Sequence, residues 1–381
     1  MNTVFFDHNS TTALKSEVLK AMLPYMTEQH GNATSRHIYG RVAHGAIEQA
    51  REQVAMAVNA HPSQIVFTAS GTEANNFAIR GMTSRLTKGQ ILTSAIEHPC
   101  VTRPAIALNA LGWQARSINV DAQCILDLNH LHKLLNAPTN LVSVMLANNE
   151  TGAIQDITAI SELAQAKKAL MHTDAVQALG KIKVDFDDLN VHAITLSSHK
   201  IGGPLGAGAL VLNKRVDIEP LLHGGGQEKG LRSGTENIAA IVGFGVACEL
   251  AVNNLSQFAQ HTQRLRDYLE TGLRKLNAHL FAHQATRLSN TSFFAFADIE
   301  GETLVMALDR KGFAVASGSA CSSDNGEPSH VLLAMGINEE LARGAIRVSF
   351  GLSNTLEQVQ KFLDVLENEL ARLRNFTAMI N

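Results

Sequence analysis

The sequence predicts an α/β fold: a mostly parallel sheet with one antiparallel strand, flanked by helices, plus a smaller α+β domain. Three observations carry this. Short apolar runs alternate with helical patterns between residues 64 and 212, the texture of a sheet covered on both faces. One connection in that region is too short to hold a crossover helix. After Gly224-Gly225-Gly226 the pattern changes to a long amphipathic helix and then a strand–helix–strand unit.

Strands are expected at QIVFT (64–68), ILTS (91–94), LVSVML (141–146), ALMHT (169–173), AITLSS (193–198) and GALVL (208–212). Helices are expected from Glu73 to Thr87 and from Thr158 to Ala169. Only HKIGGPLGA separates the last two strands. Parallel neighbours need a crossover of about a dozen residues or more, so the last strand should run antiparallel. Residues 256–277 carry Phe258, Leu265, Tyr268, Leu269, Leu273 and Leu276 at helical spacing. TSFFAFADIEGETLVMALDRKGFAVASG reads strand, helix, strand. Thr355 with Gln358 resembles a capping box that opens a last apolar helix. The expected organisation is an N-terminal segment (1–15) packed with the small domain, a large domain (16–255) and a small C-terminal domain (256–381).

Composition narrows the function classes. Hydrophobic residues make up 45% of the 381, as in a globular chain. The formal net charge is −3, from 32 Lys+Arg against 35 Asp+Glu. That balance removes the electrostatic argument for a nucleic-acid or membrane-surface partner. Cys100, Cys124, Cys248 and Cys321 are scattered with no C-x-x-C pair, against a disulfide framework or a zinc site. MNTVFFDHNS lacks the pattern of a signal peptide, and no apolar run approaches the ~20 residues of a membrane span. A cytoplasmic location is the expectation.

Polar clusters follow the expected strands. Ser70-Gly71-Thr72-Glu73 opens a helix, where free N–H groups and a hydroxyl suit a phosphate; an ordinary capped turn looks the same. Ser197-Ser198-His199-Lys200 ends a strand. A lysine desolvated there loses its proton more easily and can form a Schiff base; a surface lysine before a turn is the commoner case. Asp174 could hold a cationic ring nitrogen with Gln177 nearby, or cap a helix. Glu97-His98-Pro99 and Asn148-Asn149-Glu150 repeat the pattern. Each is weak alone. Together they lie where open α/β sheets bind ligands, beyond the carboxyl ends of the strands. A phosphate cradle, a lysine, a carboxylate and a histidine make up a pyridoxal 5′-phosphate site.

Two more residues stand out. Cys321 lies in SGSACSSDNGE, a stretch of small and polar residues without apolar period. Free cysteines are usually buried, so a thiol in an exposed loop suggests function. The other three cysteines read as structural. Arg347, in the strand-like AIRVSF, could grip a carboxylate with its fork; a structural ion pair is about as reasonable.

From Phe6-Asp7-His8-Asn9-Ser10-Thr11-Thr12 to Arg347 the chain resembles the cysteine desulfurases of the class V aminotransferase family, fold-type I pyridoxal-phosphate enzymes. The motifs that carry it are Ser198-His199-Lys200-Ile201, Arg232-Ser233-Gly234-Thr235 and Ser317-Gly318-Ser319-Ala320-Cys321-Ser322. The last resembles the nitrogenase and housekeeping iron–sulfur group. The resemblance implies that Lys200 carries the cofactor and that Asp174 pairs with its ring nitrogen. Gln177 would contact its phenolic oxygen and His98 would stack on its ring. Gly71, Thr72, Ser197 and His199 would hold the phosphate, joined by Thr235 from a second subunit of a homodimer. Asn149 and Arg347 would bind the substrate carboxylate with help from Asn32, and Asn149 also counts with the cofactor-binding set. Cys321 would carry the persulfide.

Some positions depart from the family pattern: Ala33 where proline is usual, Pro99-Cys100 for Lys-Ala, and Gly203 and Leu205 near Lys200. The chain ends at Asn381 without the longer tail that housekeeping members use to dock a scaffold, which leaves the sulfur acceptor open. The implied reaction converts L-cysteine to L-alanine, with Lys200, Cys321 and His98 as catalytic residues. The persulfide would go to an acceptor such as an iron–sulfur scaffold protein, or to thio-cofactor or tRNA thiolation. No intrinsic metal site is expected, Cys321 being the one candidate for a transient iron–sulfur ligand. The competing expectations are a selenocysteine lyase, another class V aminotransferase or lyase, and a non-enzymatic sulfur carrier.

Overall fold

The apolar runs between 64 and 212 assemble into one seven-stranded sheet in the computed structural model, which describes residues 3–318 and 327–380. In chain order the strands are β1 (Val4–Phe5), β2 (Ile65–Thr68), β3 (Gln90–Ser94), β4 (Gln114–Ile118), β5 (Thr139–Ser143), β6 (Leu170–Asp174), β7 (Ala193–Ser197), β8 (Gly208–Leu212), β9 (His279–Leu280), β10 (Thr291–Ala295), β11 (Phe313–Ala314), β12 (Ala316–Ser317) and β13 (Ala345–Ser349). The large sheet has the order β2-β8-β7-β6-β5-β3-β4. β8 pairs antiparallel with both β7 and β2, and the other pairs are parallel. The short link 199–207 produces this reversal, as expected.

Both faces of the central strands of this sheet are buried, so those strands are mainly apolar. Ile65, Phe67, Ile194, Leu196, Ala209 and Val211 face one core, with Ile47, Val54 and Phe244 from the helices Ile38–Ala57 and Ile238–Asn253. Val66, Ala193 and Leu210 face the other, against Phe77 and Ala78 of the helix Gly71–Thr83. That helix begins before Glu73 because the Ser70 hydroxyl accepts the Glu73 N–H at 3.1 Å. β4 was not anticipated. It reads QARSI, is mostly exposed and lies at the sheet edge, where polar residues are tolerated.

The C-terminal part folds around the four-stranded antiparallel sheet β12-β13-β10-β9. Leu265, Leu269 and Leu273 of the helix Leu255–Lys275 join Leu304, Leu308, Phe362 and Leu366 in one core. The final helix, Leu356–Ile380, opens with the expected reciprocal cap: Thr355 N–H donates to Gln358 Oε1 at 3.0 Å and Gln358 N–H to Thr355 Oγ1 at 3.3 Å. β1 pairs parallel with β11, and Phe6 is fully buried in the C-terminal core, edge-on to Phe350 and Phe362. Among the described residues no single helix is long and apolar enough to cross a membrane.

Candidate active site

The carboxyl ends of β2, β3, β5, β6 and β7 open onto one cavity of about 230 Å³. Gly71 and Thr72 begin the helix after β2. A side chain at position 71 would lie 3.0 Å from Val176 Cγ2 and 3.3 Å from Ser197 Cβ. Glycine therefore lets this helix start settle against β7. Ser197 ends β7, and His199 and Lys200 follow in a single helical turn. The Lys200 amine donates to the carbonyl oxygens of Asn9 and Ser10 at 2.7 and 2.6 Å.

Asp174 ends β6 and is 5% exposed. Its Oδ1 accepts the Val176 N–H at 2.9 Å, and its Oδ2 accepts the Asn75 amide at 2.7 Å. Burial pushes its carboxyl upward, opposed by the Val176 N–H, Asn75, His98 and Lys200. A buried carboxylate so placed favours a cationic partner. After β3, His98 caps the helix Pro99–Ala107, with Pro99 preorganising its first turn. Burial lowers the His98 imidazole, against the pull of Asp174. Burial and the neighbouring Lys200 lower His199 to about 4. Glu97 is fully buried; its Oε1 accepts the Met145 N–H at 2.7 Å and the Ser94 hydroxyl at 2.8 Å. Its Oε2 has no partner among the described residues, and burial pushes the group up to about 8.

Of the expected residues, Gly71, Thr72, His98, Asn149, Asp174, Gln177, Ser197, His199, Lys200 and Arg347 line the cavity. Arg347 reaches it from β13. Its guanidinium pairs with Asp7 at 2.7 Å and donates to Ser10 Oγ and the Asn149 carbonyl, while its buried Nε has no partner among the described residues. It is thus both an ion-pair member and a cavity-wall donor. Asn32 stands outside the cavity, exposed, its side-chain oxygen taken by the N–H and hydroxyl of Thr34. Thr235 is also exposed and outside it. Cys321 lies outside the described residues. Cys124 and Cys248 are buried as structural cysteines. Cys100 is not merely structural: it lines the cavity.

Sequence reasoning missed a second layer. Asn9, 1% exposed, accepts Gln177 Nε2 at 2.9 Å on its carbonyl, and Lys181 Nζ (2.8 Å) and Asn290 (3.0 Å) on its side chain. It donates to the Asn149 carbonyl and Thr291 Oγ1. Lys181 also grips Gln177 Oε1 at 2.6 Å; its ammonium is held well below the ordinary lysine range by burial, with Lys200 and Arg347 adding to it. The only local signal was Asn9 within the Phe6–Thr12 motif. A second cavity of about 270 Å³ lies against Lys200, Phe258 and Phe350, and of the expected site residues only Lys200 lines it.

This donor set fits pyridoxal phosphate: a helix start with Ser197 and His199 for a phosphate, and a buried carboxylate for a ring cation. Residues 4–362 match the model of the family described as Aminotransferase class-V. The chain belongs to the class-V aminotransferase family, and within it to the cysteine desulfurases. The cysteine desulfurase IscS of Dictyoglomus turgidum is 43% identical, over 98% of this chain and 96% of that one. The cysteine desulfurase IscS of Methanosarcina thermophila is 41% identical, over 99% and 94%. A solved structure titled NifS-like protein superposes with a TM-score of 0.92 at 39% identity, covering 97% of this chain and 99% of that one.

Proposed function

We propose that this chain is a pyridoxal-phosphate-dependent cysteine desulfurase that moves the sulfur of L-cysteine onto Cys321 and releases L-alanine. The observation that carries this is the meeting of Asp174, His98, Lys200 and the Gly71–Thr72 helix start in one cavity. When bound, pyridoxal phosphate supplies an electron sink for the α-carbon of an amino acid.

The residues around it have separable tasks. Gly71, Thr72, Ser197 and His199 would hold the phosphate, and Asp174 would hold the ring nitrogen. Lys181 orients the Gln177 amide toward its contact by holding Oε1. The Arg347 Nε, buried and without a partner among the described residues, is the donor that suits the substrate carboxylate. Lys200 Nζ would take the α-proton. The Cys321 thiolate, the reacting form of a thiol, attacks the substrate sulfur. A sulfur–sulfur bond forms as the carbon–sulfur bond breaks with its electron pair left to carbon, a proton completes L-alanine, and Cys321 is left as a persulfide.

Thr235 stands on the surface, which accords with a homodimer whose second subunit brings it to the phosphate. An iron–sulfur scaffold or another thiol protein in the cytoplasm is the proposed acceptor. Two variants test the reading. Lys200→Ala should lose the visible absorption band of the bound cofactor and all turnover. Cys321→Ala should keep the band and lose persulfide formation, read by alkylation and mass spectrometry. Wild-type sulfur release from Cys321→Ala would remove the proposal, and amino transfer to a keto acid would point to an aminotransferase.

A further inference from the structure

Cys100 stands in the first turn of the helix Pro99–Ala107, and its sulfur sits among the side chains that line the cavity. Sγ lies 2.9 Å from His98 Nδ1 and 3.1 Å from Asn75 Nδ2. Asp174 fixes the direction of these bonds. Its carboxylate accepts from Asn75 Nδ2 at 2.7 Å, so the Asn75 amide nitrogen faces both the carboxylate and the sulfur. The sulfur therefore accepts from Asn75, and its own proton is left to donate. Across from it, His98 Nδ1 already accepts the Cys100 backbone N–H at 3.2 Å. A nitrogen that accepts an N–H carries no proton, so the neutral ring holds its proton on Nε2. The Cys100 S–H then donates to Nδ1.

We propose that Cys100 is a positioning residue: its thiol donates to His98 Nδ1 and holds that ring neutral, in one tautomer, at the end of a hydrogen-bonded chain from Asp174 through Asn75. Protonation of His98 must occur at Nδ1, and among the described residues both partners of that atom come from Cys100. The charged groups that face the ring are Asp174, which favours its protonation, and Lys200, His330 and Arg103, which oppose it. Burial holds the Cys100 thiol far above its ordinary range, near 12. That agrees with a hydrogen-bond donor and not with a second sulfur carrier.

The inference rests on the desulfurase reading only for its activity arm. The test compares wild type, Cys100→Ala and Cys100→Ser as full-length enzyme with ring-15N histidine, His98 being assigned from a His98→Gln control. Wild-type His98 should show the Nε2–H tautomer. Cys100→Ala should raise its protonation midpoint by about half a pH unit, and Cys100→Ser, whose hydroxyl also donates, should restore it. The acid limb of the kcat profile should move the same way with KM unchanged. Equal midpoints in all three proteins would overturn the proposal, as would a turnover persulfide on Cys100 by mass spectrometry. If no turnover occurs at all, the desulfurase reading fails while the histidine titration still decides this one.

Discussion

Two regions wall the same cavity by different means. The carboxyl edge of the large sheet contributes side chains, each carried by a short motif directly after a strand: His98, Asp174, Ser197 and Lys200. The N-terminal segment adds backbone carbonyls to its side chains. The carbonyls of Asn9 and Ser10 hold the Lys200 amine, and the Asn9 side chain ties Lys181 to Asn290 and Thr291. The first region sets the chemistry. The second sets where the lysine stands: backbone carbonyls take the amine, and the Asn9 side chain fixes those carbonyls in place.

Cutting the second region should have the larger effect. Asn9→Ala strands several buried donors and acceptors, and should cost about 3 kcal/mol in denaturant unfolding together with most of the turnover. A variant of wild-type stability would show that the segment merely covers the site. A milder change sharpens the role of the sheet edge. In the folded chain Glu97 holds its proton up to about 8, whereas an ordinary glutamate releases it near 4.5. Between those values the folded state binds the extra proton, so this group's contribution to stability falls as pH rises through the window. Glu97→Gln should therefore match wild type below about pH 4.5 and become the more stable of the two as pH rises toward 8. Urea titrations at the two pH values check this. Least should come from Arg85→Ala, remote from both regions, whose 2.7 Å pair with Asp217 is exposed on each side. A change within about 0.5 kcal/mol is expected by the same unfolding assay.

The contrast also explains what could be read in advance. β8 was legible because a short link forbids a crossover, and the strand-end clusters because each is local in sequence. β4 was not, since an exposed edge strand has no apolar signature. Arg347 was recognised as a possible carboxylate fork, but its pairing with Asp7 spans nearly the whole chain and leaves no spacing to read. Cys100 looked structural because a helix-start cysteine gives no hint of what the helix points at. Asn9 lies within the Phe6–Thr12 motif, yet its work depends on Lys181, Asn290 and Thr291, none of which is near it in sequence.

The seating of the first residues in the C-terminal core has a consequence for synthesis. Asn9 donates its N–H to Ser349 Oγ, a contact across 340 positions, and Phe6 packs on Phe350 and Phe362. The segment around Phe6 and Asn9 must wait for β13, some 340 positions later in synthesis, before it has anything to pack on. The large sheet can form earlier, since domains generally fold as units as they emerge. Until β13 arrives, however, the Lys200 amine has no settled carbonyls to hold it and Arg347 does not yet exist. A nascent or truncated chain can thus own a finished sheet and still lack the complete cavity, so a competent site reports synthesis through β13.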